Sequence, residues 1–352
     1  MPLLPPPPPP GESRRINAPK ALSFFGGGKD SLVAAKLLET LGQPYDSLVY
    51  ASSIYGQLGR QHEQITGLLN HCSPERRHRQ WIFDDFMDSP VLALGPDTRV
   101  KTLTAAETPS SIFASLPVVM ANDISEICLA HEKSADTGQV FWNRTGEDVN
   151  HQWGKSFEAE KLINRYIRDN LLPDFHYYSI LKSIHDVMIF NLLREHEEFV
   201  PQTHSCNVQK PWCKRCPKCL YVWVNYMAYL QPARVEAMFG ENLADVPENV
   251  PIFRAMLGFT EGLPFECIGQ SHETQLAFEL CIAKGLTGSA FDMYIREKTR
   301  FQLDQALEKY LTVYSEESEV PARFKTTLDA KLQSTAEDAR RYIKEILNVR
   351  SS

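Results

Sequence analysis

The sequence has no apolar run of about 20 residues, the length needed to cross a bilayer, so no membrane span is predicted. It also lacks the pattern of a secretory signal, because Met1 is followed by a proline-rich stretch without a basic start or an extended apolar region. Positive charge is not in excess. The 37 Lys and Arg residues against 44 Asp and Glu leave a formal charge of -7, which argues against a broad basic face for nucleic acid. We therefore expect a cytoplasmic protein with no membrane or nucleic-acid partner.

Half of the eight cysteines lie in one short segment. Their spacing is C-x6-C-x2-C-x2-C, formed by Cys206, Cys213, Cys216 and Cys219. The two-residue gaps let tight turns direct neighbouring thiolates at one ion, and four sulfur ligands complete a closed tetrahedral Zn²⁺ site. This crowding favours a metal site in a reducing compartment over a disulfide framework. We predict a structural zinc, with an iron–sulfur cluster as the alternative.

Two common phosphate-binding motifs are absent, G-x-x-x-x-G-K-[ST] and G-x-G-x-x-G with its acidic ribose partner. Another glycine loop is present at residues 26–31, Gly-Gly-Gly-Lys-Asp-Ser. An apolar run at 21–25 predicts a buried strand before it, and apolar residues near helical spacing at 31–41 predict a helix after it. Glycines allow close approach to a ligand, and the first amides of a helix point at an anion. The pattern predicts a phosphate site; the alternative is a turn that only connects strand to helix.

The polar residues of this loop favour a nucleotide bound with a metal. Lys29 adds a mobile positive charge, and Asp30 makes sense beside phosphates when a divalent cation such as Mg²⁺ is included. The loop resembles the pyrophosphate loop of the ATP pyrophosphatase superfamily, usually written S-G-G-x-D-S, with Gly26 in place of the first Ser. That departure removes a hydroxyl and leaves more of the binding to backbone amides. The resemblance implies cleavage of ATP to AMP and pyrophosphate, commonly by adenylation of a substrate oxygen.

Strands and helices alternate after the loop, which predicts an α/β fold with an open parallel sheet. Further strands are predicted at 47–51, 81–83 and 127–130, and helices at 61–70, 111–124, 157–171 and 178–196. In such a sheet, ligands bind at the carboxyl ends of the strands. Tyr50 and Ser52 are therefore candidates for holding adenine or ribose, and His131 and Glu132 form a second polar group at that edge. A strand end without function is the alternative for Tyr50 and Ser52.

Four regions are expected along the chain. They are a disordered Pro-rich tail (1–18), a Rossmann-like domain resembling the adenine-nucleotide α-hydrolases (19–200), the four-cysteine metal segment (201–230) and a mainly helical C-terminal region (231–352). An aromatic-rich helix is predicted at 220–230 and a long helix at 322–347.

Two loop segments carry candidate acid–base groups. His151 and Lys155 lie in a polar stretch before the helix predicted at 157–171, and Glu266 and Cys267 lie in a loop bounded by glycine and proline. Imidazole, amine, carboxylate and thiol groups all transfer protons. Taken singly, each residue is more often a surface, capping or turn-packing residue, but loops carry most functional sites.

The glycine loop, the His131 segment, the His151 segment, the four cysteines and the Glu266 loop occur in one order. In that order, from about residue 20 to about residue 285, the chain resembles the UDP-N-acetylmuramoyl-L-alanyl-L-glutamate epimerases. The resemblance implies that ATP and Mg²⁺ are used to invert the terminal glutamate of a nucleotide-linked peptide. It implies that Gly26, Gly27, Gly28, Lys29 and Ser31 hold pyrophosphate and that Asp30 lies near Mg²⁺. The proton carriers would come from His151, Lys155, Glu266 and Cys267.

Three alternatives remain open. In an organism without peptidoglycan, the substrate would be another peptide or acid carboxylate. The four-cysteine spacing also resembles that of 7-cyano-7-deazaguanine synthase, which adenylates a carboxylate and adds ammonia. A nucleotide-binding module without catalysis is the third, if Gly26 marks decay of the loop.

Overall fold

The computed structural model describes residues 20–85, 90 and 107–348. The proline-rich tail expected at 1–18 lies outside these residues. Within them, the strands are β1 (Ala21–Phe24), β2 (Tyr45–Ser52), β3 (Arg77–Ile82), β4 (Glu126–Leu129), β5 (Val140–Trp142), β6 (Glu147–Val149) and β7 (His176–Ser179).

Helices cover the sheet and make up the C-terminal half of the chain. Over the same described ranges they are α1 (Lys29–Thr40), α2 (Leu58–Leu69), α3 (Glu107–Ala121), α4 (Phe157–Asn170), α5 (Asp186–Leu193), α6 (Pro217–Tyr229), α7 (Pro232–Phe239), α8 (Val250–Met256), α9 (Ser271–Ala283), α10 (Ser289–Glu297), α11 (Leu303–Tyr310) and α12 (Ala322–Asn348). In this part of the chain, no helix combines the length and the apolar character that a membrane crossing requires.

The main sheet of the described chain has five parallel strands in the order β3-β2-β1-β4-β7. The chain runs outward from β1 through β2 to β3, and then returns to place β4 on the other side of β1. The strand order therefore reverses between β1 and β4, and ligands of open α/β sheets bind in the crevice outside the carboxyl ends at such a point. The glycine loop follows β1 and His131 follows β4, so the topology brings both to this crevice.

These observations confirm the α/β class, the parallel open sheet and the mainly helical C-terminal region. The helix predicted at 178–196 is wrong in its first half. Residues 176–179 form the edge strand β7, which pairs with β4, and the helix α5 begins only at Asp186. A short apolar run that is buried on all sides has no face-specific periodicity, so strand and helix cannot be told apart by pattern alone. The β5–β6 hairpin was not predicted.

Candidate active site

The loop after β1 has a conformation that requires glycine. Gly27 has a φ of 77°, and a Cβ there would lie 2.3 Å from Cε1 of His204. The backbone N–H of His204 also donates to the carbonyl of Gly27 at 2.9 Å. Gly28 precedes α1 without a side-chain cap, so the free amides of the first helical turn face the crevice. The amide of Gly26 donates to Ser31 Oγ at 3.0 Å, which holds the turn closed.

A cavity of about 290 Å³, called here the loop cavity, opens between this turn and the ends of β2 and β4. Three of the polar segments expected at the site meet here, since Asp30, Tyr50 and His131 all line it. Its polar and charged lining comprises Asp30, Ser31, Tyr50, Tyr55, Gln61, Glu107, His131, Glu132, Lys155, His204, Lys210 and Lys218. Ser52 was predicted to hold adenine or ribose, and its position differs from that prediction. Its side chain is buried, and its hydroxyl accepts a hydrogen bond from the amide of Ile54 at 3.5 Å.

Lys29 does not supply the mobile charge that the sequence suggested. Its side chain is 1% exposed, and its ammonium is paired with Asp30 and Asp186 beneath the loop, 4.8 Å from the centre of the Phe190 ring. Burial would lower the pKa of Lys29, but the charges of Asp186 and Asp30 outweigh it and raise that pKa. The cations that line the loop cavity are Lys155, Lys210 and Lys218.

Two carboxylates line the loop cavity close to the glycine turn. Burial alone would raise the pKa of Glu132, but the nearby ammonium groups of Lys29 and Lys155 hold it below its usual value, so Glu132 is ionised. Asp30 stands at the start of α1. Carboxylate oxygens are hard ligands that suit Mg²⁺ held together with phosphate oxygens. Asp30 and Glu132 are therefore the residues that would hold a magnesium ion here.

A second cavity of about 280 Å³, called here the acid–base cavity, adjoins the first. Tyr55, Glu107, Lys155 and Lys218 line both cavities, so the two share a wall. The other residues lining the acid–base cavity are Ile54, Thr108, His151, Gln152, Gly154, Asn207, Phe265, Glu266 and Cys267. The two cavities are therefore direct neighbours on either side of these four side chains.

The acid–base cavity brings together the four residues predicted to carry protons. The polar side-chain atoms of His151, Glu266 and Cys267 all lie within 4.8 Å of one another, and Lys155 Nζ lies 3.2 Å from Cys267 Sγ. Burial would raise the pKa of the Cys267 thiol, but the charge of Lys155 and a hydrogen bond from His151 bring that pKa below its usual value. Because Lys155 already places a cation on the sulfur, this group suits proton transfer better than metal binding. The catalytic roles stay predictions.

Two lysines, one buried and one half-buried, hold the loops around both cavities. Lys182 is fully buried, and its Nζ donates to the carbonyl of Glu132 at 2.9 Å, to the carbonyl of Lys155 at 2.7 Å and to Asp136 Oδ1 at 3.1 Å. Lys218, in the first turn of α6, donates to the carbonyl of Cys267. These contacts fix the segment after β4 against the one before α4, and the Cys267 loop against α6.

Several residues at the site were not chosen from the sequence, among them Tyr55, Glu107, Lys182, Lys210 and Lys218. A basic cluster between and beside the cysteines is visible in the sequence and contains two of them, Lys210 and Lys218. Tyr55 and Glu107 carry no such signal, because they reach the cavity only through the packing of α3 beside the end of β2. Next to the loop, burial and the positive charges of Lys155 and Lys182 lower the pKa of His131, so that its imidazole is neutral.

The four cysteines form one cluster immediately before and within the first turn of α6. The Sγ atoms of Cys206 and Cys216 are 3.8 Å apart, as are those of Cys213 and Cys219. Zinc–sulfur bonds of about 2.3 Å at tetrahedral angles place sulfur atoms about 3.8 Å apart. Backbone amides also point at the sulfurs, with the N–H of Gln209 3.3 Å from Cys206 Sγ. The cluster confirms the predicted four-cysteine grouping, and its geometry fits zinc.

The MurL N-terminal domain matches residues 108–180 and the MurL C-terminal domain matches residues 200–298. The UDP-N-acetyl-alpha-D-muramoyl-L-alanyl-L-glutamate epimerase of Xanthomonas oryzae pv. oryzae is 30% identical over 281 residues, which are 75% of this chain and 57% of that protein. The protein of the same name from a Micromonospora strain is 27% identical over 269 residues, which are 74% of this chain and 56% of the relative.

The chain therefore spans a little over half the length of these relatives. Among solved structures, NMN synthetase from Francisella tularensis aligns with a TM-score of 0.35 at 10% identity, covering 64% of this chain and 85% of that one.

Proposed function

Because the chain belongs to the MurL epimerase family, with both its N- and C-terminal domains, we propose that it is an ATP-dependent epimerase. It inverts the α-carbon of the terminal L-glutamate of UDP-N-acetylmuramoyl-L-alanyl-L-glutamate or a related peptide. The observation that supports this most is the wall shared by the loop cavity and the acid–base cavity. A carboxylate activated at the glycine loop would place its α-carbon beside the cluster of His151, Lys155, Glu266 and Cys267.

Activation is needed because of charge. A free carboxylate disfavours removal of the neighbouring α-proton, since the carbanion would form beside a negative charge. ATP supplies an adenylyl group that joins a carboxylate oxygen as pyrophosphate leaves, and the resulting mixed anhydride is uncharged at the acyl carbon. This chain would hold the phosphates beside Gly26 with the free amides at the start of α1, the hydroxyl of Ser31 and the ammonium groups of Lys155, Lys210 and Lys218.

Proton transfer follows at the acid–base cavity. Lys155 Nζ lies 3.2 Å from the Cys267 sulfur and lowers the pKa of that thiol, which favours the thiolate form that accepts a proton. Return of a proton to the opposite face inverts the centre. Water then cleaves the anhydride, which releases AMP and the epimerised carboxylate and leaves the protein unchanged.

The test is an assay of pyrophosphate release with Mg²⁺ and ATP in D₂O, with UDP-N-acetylmuramoyl-L-alanyl-L-glutamate and a panel of peptides that end in L-amino acids. The expected product carries one deuterium at an inverted terminal α-carbon. Pyrophosphate release without deuterium would point instead to a ligase resembling 7-cyano-7-deazaguanine synthase. If nucleotide binds but no pyrophosphate is released with any member of the panel, the proposal is contradicted and a binding module is favoured.

A further inference from the structure

Inversion requires either one mobile group that reaches both faces of the α-carbon or a fixed proton carrier on each face. A carrier must come within about 3–3.5 Å of the reacting atom, so two carriers that flank one carbon stand roughly 6–7 Å apart. The side-chain atoms of His151, Glu266 and Cys267 lie within 4.8 Å of one another, and Lys155 is hydrogen-bonded to the Cys267 sulfur. These four residues are therefore too close together to flank the α-carbon as two fixed carriers, and a carrier for the other face must be a different residue.

Few residues that line the acid–base cavity could be the second proton carrier. The titratable side chains of this cavity are Tyr55, Glu107, His151, Lys155, Lys218, Glu266 and Cys267. Four of these belong to the group already described, and Lys218 donates to the carbonyl of Cys267, which places it beside that group. Tyr55 and Glu107 remain, and they are hydrogen-bonded to each other.

The Tyr55–Glu107 pair comes from a different part of the fold than the Cys267 loop. Glu107 is the first residue of α3, and Tyr55 lies in the short helical turn after β2. The Tyr55 hydroxyl donates to Glu107 Oε2, which holds the carboxyl at the wall between the two cavities.

The surroundings of Glu107 suit a carboxyl that both donates and accepts a proton. Burial raises its pKa, while the hydrogen bond from Tyr55 and the charges of Lys155 and Lys210 oppose that rise without cancelling it. Asp84, which follows β3, and Lys155, which belongs to the acid–base group, both act on Glu107. Glu107 is therefore influenced by a negative and a positive charge. A carboxyl whose pKa is raised keeps its proton to a higher pH than an ordinary glutamate, which suits it to donate a proton.

We propose that Glu107 is the second proton carrier of the epimerisation, opposite the Cys267 group, and that Tyr55 positions its carboxyl. This inference rests on the proposed function. In one direction the Cys267 thiolate takes the α-proton and the Glu107 carboxylic acid gives a proton to the opposite face; in the reverse direction the two exchange roles. One proton is taken and one is given in each turnover, and both carriers re-equilibrate with solvent through the open cavity.

The test compares wild-type protein with Glu107→Gln and Cys267→Ala in D₂O with ATP and Mg²⁺, starting separately from the L-glutamate substrate and from its D epimer. Glu107→Gln is expected to slow inversion by about 100-fold or more. It should still exchange the α-hydrogen of one epimer without inverting it, and Cys267→Ala should exchange only the other epimer. Tyr55→Phe should slow inversion less than Glu107→Gln does.

Pyrophosphate release serves as the internal control. Each variant should still release pyrophosphate with substrate, since activation precedes proton transfer, and this shows that the variant is folded. Glu158→Gln is the matched control, because Glu158 is also an acid in the first turn of a helix but is exposed and lines neither cavity. It should invert as fast as wild type.

The remaining outcomes distinguish failure of the proposed function from failure of the role given to Glu107. If wild type yields no deuterated, inverted product, the proposed function fails and this inference fails with it. If wild type inverts and Glu107→Gln inverts equally fast, exchanges both epimers or neither, or loses pyrophosphate release, Glu107 is not the second proton carrier.

Discussion

At the scale of single residues, the contact between Lys155 and Cys267 decides the chemistry of the acid–base cavity. An apolar environment by itself would keep a buried thiol protonated and unreactive. The ammonium of Lys155 at 3.2 Å reverses that preference and lowers the pKa of Cys267. The thiolate therefore persists to a lower pH than it would in an ordinary cysteine.

This contact predicts the pH dependence of alkylation at Cys267. In Lys155→Met the cation is lost, burial dominates, and the pKa of Cys267 rises. Alkylation by iodoacetamide should then begin at a higher pH, and at neutral pH it should be roughly tenfold or more slower than in wild type. Peptide mapping of Cys267 after timed alkylation across a pH series measures this directly.

Lys161→Met is the matched control, because Lys161 is exposed and its Nζ lies over the Phe157 ring, away from the thiol. Its alkylation profile should match that of wild type. An unchanged profile in Lys155→Met as well would mean that Lys155 does not set the ionisation of Cys267.

At the scale of elements, the four-cysteine segment links a metal to the site. The segment leads into α6, and Lys210 and Lys218 project from it into the loop cavity. Four sulfur ligands leave no position for substrate, so a metal here would act through structure. Structural zinc is worth on the order of 10 kcal/mol to the local fold, which is enough to hold these lysines in place.

We therefore expect the purified protein to contain one equivalent of zinc and no visible charge-transfer absorption. Cys213→Ser should lose the metal, lower the midpoint of thermal unfolding and reduce pyrophosphate release together. Elemental analysis and calorimetry on the same samples measure both effects.

Cys72→Ala is the control, since Cys72 is a buried cysteine outside the segment; it should keep its metal. If the protein instead contains iron and sulfide and absorbs visible light, the four cysteines hold an iron–sulfur cluster and not zinc. Retention of full metal content in Cys213→Ser would contradict the proposed ligand set.

At the level of the whole molecule, one apolar core joins the three expected regions that follow the Pro-rich tail. The largest cluster of buried residues runs from Ala21 in β1 through Trp223 in α6 to Ile343 in α12. The α12 helix contributes Phe324, Leu328, Leu332, Ala336 and Ile343 to it and packs against α5 and α9. Shared burial of this kind makes the parts stabilise one another, so we expect them to unfold together.

Leu332→Ala tests this coupling far from both cavities. Leu332 is fully buried, and removing such a side chain costs about 2–5 kcal/mol. Urea unfolding followed by tryptophan fluorescence and by circular dichroism should show one transition at a lower midpoint for both probes. Lys344→Ala, on the exposed face of the same helix, should leave the midpoint within about 0.5 kcal/mol of wild type. Separate transitions for the two probes would contradict a single cooperative unit.

Features that depend on local pattern could be predicted from the amino-acid sequence. The glycine turn between a strand and a helix, the alternation that predicts a parallel sheet, and the close spacing of the cysteines all act over a few residues. Their physical causes, positive φ at Gly27, side-chain periodicity and the reach of tight turns, are local as well. The polar residues after the strands could also be assigned to one edge, because parallel strands share the direction of their carboxyl ends.

Only the tertiary structure decided how distant segments meet. In the folded chain, Lys29 is buried and paired with Asp186, and Cys267 lies beside Lys155. Glu107 lies at the wall between the cavities. The tertiary structure also made an edge strand of His176–Ser179, because pairing with β4 outweighed an ambiguous local pattern. These outcomes depend on contacts between residues far apart in the chain, and the free energy of such contacts is set by packing and burial that no local pattern contains.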